Sequence, residues 1–265
     1  DDYFAKIKPK YVFIAAGKVG GIIDNDKNPS DFIFTNLSIQ NNVIYAAQTV
    51  NVKKLIFFGS SCMYPKNCIQ PMDESMLLEG RPEPTSIAYA IAKLAGVQAC
   101  LSVNKKFNKD IFLPLIPNSI YGPNDNFDPI SGHVISSLIH KFHAAQKNNL
   151  SELLLWGSGQ PKREFIYVDD VVDACMFLMK RENNIKLPIN IGTGNDITIR
   201  ELADLISKKL NFSGKIMWDK TKPDGAPRKL LSSSKINKLG WHSKVNLSEG
   251  LDKTINWFLN NNTKL

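Results

Sequence analysis

The chain has 265 residues, 43% hydrophobic and 22% charged, with 33 Lys and Arg against 25 Asp and Glu for a net charge of +8. This is globular composition, long enough to bury about three quarters of the unfolded surface without staples, and it excludes a disordered or collagen-like chain. The positive charges are dispersed among Asn and carboxylates with no long basic block, which argues against nucleic acid as a partner.

Cys62, Cys68, Cys100 and Cys175 show no CxxC pairing and no zinc-like spacing, so a reducing, cytoplasmic setting without a metal is expected. No apolar run reaches the roughly 18 residues of a membrane span, and no signal peptide opens the chain; no membrane partner is expected.

In chain order, residues 1–7 carry helical spacing and run straight into an apolar strand, 11–16, closed by Gly17 and Gly20-Gly21. A helix is predicted over 36–50 and a second strand over 54–58, stopped by Gly59. A Pro-rich acidic loop precedes a helix over 89–105. A third strand is read at 111–116, where Pro114 counts against a central position. Beyond residue 122 the elements are shorter and mixed: helix 133–147, strand 153–156, helix 170–180, strand 189–191, helix 199–210, strand 215–218 and helix 247–259. Near-continuous apolar strands alternating with amphipathic helices predict an α/β chain, a doubly wound parallel sheet with a smaller mixed α/β part after it.

The most informative local feature is Tyr89-Ala90-Ile91-Ala92-Lys93. A Tyr and a Lys four apart share a helix face. An ammonium beside a phenol is expected to lower its pKa, letting the Tyr exchange a proton with a carbonyl oxygen. Alone, the spacing is equally that of an exposed surface pair. The context adds to it. Strand 54–58 delivers Gly59-Ser60-Ser61-Cys62 at its carboxyl end, where open α/β sheets place ligands. His140 and His143 share the helix that His133 opens, but no Cys or carboxylate accompanies them at ligand spacing.

Strand end, Ser, then YxxxK is the Ser-Tyr-Lys arrangement of short-chain dehydrogenases. More closely, residues 59–66 (GSSCMYPK), Glu83-Pro84-Thr85 and residues 89–93 resemble the GDP-L-fucose synthases, extended short-chain reductases that epimerise and reduce GDP-4-keto-6-deoxy-D-mannose. The likeness continues through residues 15–21, 121–127, 156–159, 163–165, 168–170, 190–194 and Lys222-Pro223-Asp224-Gly225, and so covers essentially the whole chain.

The resemblance implies a Rossmann-like sheet, with 1–122 the remainder of a dinucleotide-binding domain. Residues 123–265 would be mainly a substrate-binding part, some segments returning to the sheet. It implies Ser60, Tyr89 and Lys93 as the reductase triad, and Cys62 with His133 as the acid/base pair that inverts C3 and C5. NADP(H) would be held by Phe58, Gly59, Ser60, Ser61, Lys93, Pro117, Asn118, Ser119, Ile120 and His133. The GDP-sugar would be held by Lys141, Trp156, Arg163 and Asp224, with Arg228 and Lys229 on a loop over the nucleotide. A homodimer is implied as well.

Two departures stand out. Residues 117–120 read Pro-Asn-Ser-Ile where the family has Pro-Thr-Asn-Leu. The glycine fingerprint GxxGxxG is absent; in the family layout it lies within about 50 residues ahead of Asp1, so poor NADP(H) binding and an open edge at strand 11–16 are expected. The rival expectations are another nucleotide-sugar epimerase or dehydratase, and a non-catalytic nucleotide-sugar binder.

Overall fold

The computed structural model describes residues 2–181, 185 and 187–261. The chain opens with α1 (Asp2–Ile7), β1 (Tyr11–Ile14) and α2 (Ile22–Lys27), Asp1 lying outside the described residues. α3 (Pro29–Thr49) starts on a proline, whose missing N–H is no loss in a first turn. β2 (Lys54–Phe58), α4 (Ile87–Phe107), β3 (Phe112–Pro117) and β4 (Ser119–Tyr121) follow. The second half runs α5 (Val134–Lys147), β5 (Glu152–Trp156), β6 (Lys162–Tyr167), α6 (Val168–Met179), β7 (Ile189–Ile191), β8 (Asp196–Thr198) and α7 (Ile199–Lys209). It ends with β9 (Lys215–Asp219), β10 (Arg228–Lys229), α8 (Ser234–Lys238) and α9 (Leu247–Asn261).

The main sheet is wholly parallel in the order β1-β2-β3-β7. Alternation along β2 sorts its side chains between two layers. Leu55 and Phe57 join residues of α3 and α4 in one core, while Ile56 joins α6 and α8 in another. Both faces are therefore covered, as a parallel sheet requires, and the fold is Rossmann-like. A second sheet, β10-β6-β4, is also parallel, with β8 antiparallel on β6; β5 and β9 form a separate parallel pair. A third core gathers α5, α7 and α9. Among the described residues β1 has β2 on one side only, with Tyr11 and Phe13 exposed.

Pro114 does sit in a central strand, contrary to the sequence expectation. Leu55 N and Gly59 N bond the carbonyls of Ile111 and Leu115, so Pro114 turns its nitrogen toward β7. Pairing with β7 begins only at Leu115↔Ile189, and no ladder donor is lost. Contrary to the sequence expectation, one stretch, Pro84–Phe107, is long and apolar enough to cross a membrane. In the fold it is the core helix α4, with Ala92, Lys93, Gly96 and Cys100 buried. Gly96 allows this close seating: a Cβ there would stand 2.8 Å from Phe57 Cε1 and 2.9 Å from Gln40 Cδ. The sequence reading also passes over the short elements α2, β4, β6, β8, β10 and α8.

Candidate active site

The carboxyl end of β2 turns into a 3-10 segment, Ser61–Met63, with Ser60 as its cap: Cys62 N donates to Ser60 Oγ at 3.2 Å. α4 passes alongside and brings Tyr89 and Lys93. Lys93 is 5% exposed; its Nζ donates to Phe58 O at 3.0 Å and lies 5.0 Å from the Phe57 ring centroid. Burial pushes this ammonium down to about 8. The Tyr89 ring stands edge-on to Phe32.

The expected lowering of the Tyr89 pKa does not occur. Burial raises it, the charge of Cys62 raises it further, and a hydrogen bond with Ser60 only partly opposes them. Lys93 lies 5.9 Å from the Tyr89 ring centroid, but its hydrogen bond goes to the strand carbonyl. Tyr89 is thus a protonated group at neutral pH, placed as an acid.

Cys62 moves the other way. Burial alone would raise its thiol, but the Lys229 ammonium, hydrogen bonds from Ser60 and Lys229, and the Arg163 guanidinium outweigh it and hold the thiol below its ordinary value. Lys229 Nζ donates to Cys62 Sγ at 3.3 Å. Opposite displacements of two neighbouring groups are how a site assigns acid and base. The sequence marks Lys229 only as a loop residue. Its contact with Cys62 joins positions 167 apart, which no local spacing signals.

Beneath them lies the carboxylate of Glu164, fully buried on β6. It accepts from Thr193 N at 2.6 Å, Gly194 N at 2.7 Å, Leu231 N at 2.9 Å and Asn118 Nδ2 at 2.7 Å. Asn118 in turn accepts from Ser61 Oγ at 3.2 Å and donates to Lys229 O at 3.2 Å. The side chain of Asn118, an expected cofactor contact, is therefore committed inside the protein, joining β3, β6, β10 and the Ser61 turn. Pro117 is buried beside it, while Ser119 and Ile120 begin β4. Glu164 is a second residue whose role no sequence spacing reveals.

The expected substrate contacts lie around the loop that follows β9. Trp156 ends β5 at 48% exposure, with Lys222 Nζ 5.9 Å from its ring centroid. Asp224 accepts from Ser158 N and Ser158 Oγ, each at 2.7 Å, and so ties the loop to the end of β5. A Cβ on Gly225 would lie 3.6 Å from Arg163 Nη2. Trp156, Arg163 and Asp224 thus border one loop. Lys141 is half-buried on α5, its ammonium pushed down by burial, and it has no hydrogen bond to these three. His133 is exposed at the cap position of α5. Its neighbour Gly132 has a carbonyl oxygen 4.0 Å from where a Gly21 Cβ would stand, so the His133 turn abuts the loop after β1.

A nicotinamide cofactor fits the strand ends at its reacting end. Gly17, just past β1, carries no side chain, and a Cβ there would stand 3.5 Å from Lys93 Nζ and 2.8 Å from Asn36 Oδ1. The Gly17 backbone is thus packed closely against Asn36 and Lys93 at the strand ends, where α/β sheets take dinucleotides.

Comparison with known proteins supplies the family. The model of the NAD dependent epimerase/dehydratase family matches residues 1–192. GDP-L-fucose synthase 1 of Arabidopsis thaliana is 49% identical over 261 residues, 98% of this chain and 80% of the relative. GDP-L-fucose synthase of Escherichia coli strain K12 is 45% identical over 268 residues, covering 98% and 83% respectively. The crystal structure of a GDP-L-fucose synthetase from Naegleria fowleri bound to NADP superposes with a TM-score of 0.86 at 29% identity, covering 98% of this chain and 80% of that one. Sequence, fold and strand-end chemistry converge, and the chain belongs to the NAD dependent epimerase/dehydratase family, within its GDP-L-fucose synthase branch.

Proposed function

We propose that the chain carries out the NADPH-dependent 3,5-epimerisation and 4-reduction of GDP-4-keto-6-deoxy-D-mannose to GDP-L-fucose. The observation that carries this reading is the gathering of Ser60, Cys62, Tyr89 and Lys93 at one strand end, with Cys62 pushed toward its anion and Tyr89 toward its neutral acid.

Protons on the carbons flanking the C4 ketone are acidified, because the electrons left behind move onto the ketone oxygen. Cys62 takes such a proton and His133 returns one, inverting C3 and then C5. Tyr89 gives its proton to the C4 oxygen, Ser60 holds that oxygen by hydrogen bonding, and Lys93 anchors the helix turn that aims Tyr89. Bound NADP(H) supplies the reducing equivalent at C4. Its holders are the turn Phe58, Gly59, Ser60 and Ser61, Lys93, the backbone of residues 117–120, and His133. Lys141, Trp156, Arg163 and Asp224 hold the GDP half, Arg163 as a bidentate partner for pyrophosphate and Trp156 as an apolar wall.

In this reading residues 1–122 serve the cofactor and residues 123–265 mainly the substrate. The chain works as a homodimer through the outer face of α3 and α4, where Phe34, Tyr45 and Ile91 are exposed. Four free cysteines suit a reducing cytoplasm. Incubation with the keto-sugar and NADPH in deuterated water tests the assignment. NADPH should be consumed and deuterium should appear at C3 and C5 of the product; reduction without deuterium would remove the epimerase half.

A further inference from the structure

The contact between Lys229 and Cys62 is built, unlike that of a long surface side chain resting on a neighbour. Lys229 lies on β10, in parallel register with Arg163 of β6. Its carbonyl accepts from Asn118 Nδ2. The next residues are pinned in turn: Leu230 N donates to Gln70 Oε1 at 2.8 Å, Leu231 N to Glu164 Oε2 at 2.9 Å, and Ser232 N to Met72 O at 2.9 Å. The backbone that carries the ammonium is thus held from the β3–β4 junction, β6 and the loop after Cys62. Its Nζ meets Sγ at the edge of a shallow, solvent-connected cleft also bordered by Tyr64, Lys66, Gln70 and Glu83.

The charged and titratable groups around the sulfur come from four elements. Lys229 approaches from β10, Arg163 from β6 and Tyr89 from α4, while Glu83 and Lys66 face each other across the cleft at 3.2 Å. Lys229 makes the cationic contact with Sγ. Arg163 spreads its charge over Asp224 and Glu83 as well.

Building on the function above, we propose that Lys229 is a positioning residue that keeps Cys62 as the thiolate and fixes the direction of its Sγ, so that the epimerising base is complete only while the β10 strap is docked on β6. The proton balance is simple. The thiolate takes the proton from the carbon beside the ketone and becomes the thiol, the C–H electrons pass to the ketone oxygen, and His133 supplies the returning proton. A thiolate beside Tyr89 also strengthens that phenol's hold on its own proton, so one ammonium separates the base from the acid.

The test is alkylation of Cys62 by iodoacetamide across pH, in the full chain and read on the Cys62 peptide by mass spectrometry. Lys229→Met should slow the reaction about tenfold at neutral pH and move its midpoint upward, because only the thiolate reacts. Lys229→Arg should keep most of the wild-type profile, which a merely structural role for the side chain does not require. Lys229→Gln is run beside them, so that misfolding of one neutral variant leaves another to decide. In turnover, deuterium incorporation should lose kcat with little change in KM for the GDP-sugar. Alkylation profiles of the folded neutral variants that superimpose on wild type would overturn the proposal. Since alkylation needs neither substrate nor cofactor, that result would leave the proposed function standing. A missing epimerase activity with an intact Lys229 effect on alkylation would do the reverse.

Discussion

The two chemistries proposed for this chain are served by differently built corners. Tyr89 and Lys93 ride on one helix, seated on the sheet that also ends in Ser60, and the contacts that place them come from α4 itself, from β2 and from the adjoining helix α3, all within the first 107 residues. Cys62 gets its cation from a two-residue strand far along the chain, and His133 sits exposed at the end of a polar loop. Reduction is thus rooted in the core, whereas epimerisation depends on segments that close over it. Stability and the two activities should therefore separate under mutation.

The sharpest break is expected from Tyr89→Phe. Losing the phenolic proton should lower NADPH consumption by about 10² to 10⁴. Exchange of solvent deuterium into the keto-sugar should continue. The mirror variant, Cys62→Ser, should suppress that exchange by at least about 10² while the un-epimerised ketone is still reduced. Parallel loss of both activities in either variant would mean that the two corners are one.

Glu164→Ala should damage both corners together. It would strip the hydrogen bonds that Glu164 accepts and leave the Thr193, Gly194 and Leu231 amides unpaired, for a cost of about 3–5 kcal/mol in urea unfolding.

Lys93 offers a pH test confined to the reductase side. Its folded-state value of about 8 lies below the ordinary 10.5. Between those values the unfolded chain binds a proton that the folded one does not, so wild-type stability rises with pH. Relative to Lys93→Met, wild type should gain on the order of 3 kcal/mol from pH 8 to 10.5 in denaturant titrations, and lose it again as pH falls through 8. The smallest effect is expected at the strap surface. Arg228→Ala removes a partly exposed ion pair with Asp196 and should cost under about 1 kcal/mol, since its neighbour Lys229 is held mainly through the backbone.

Much of the reductase corner is legible in the sequence because its information is local. The Tyr89–Lys93 spacing, the apolar run of β2 and the Gly59 stop each act within a few residues, and they place Ser60, Tyr89 and Lys93 together. The direction of the Tyr89 pKa is not legible. It follows from burial and from a neighbouring sulfur, which are properties of packing. β6 is not legible because its charged start, Lys162-Arg163-Glu164, hides a residue that is fully buried. The place of Pro114 is hidden for a related reason: whether a proline breaks a ladder depends on where the neighbouring strand begins, and β7 lies more than 70 residues away.

Gly96 sets a limit of another kind. A helix resting on a notch opposite Phe57 has a single depth at which it fits, and Tyr89 and Lys93 lie about two turns and one turn before that notch. The reach of the phenol toward a ligand is then decided when the chain folds, before any ligand arrives. Neighbouring loops are free to adapt to different sugars, but the height of the acid above the sheet cannot be tuned by them. Families descended from such a scaffold would have to change their substrates around a fixed proton.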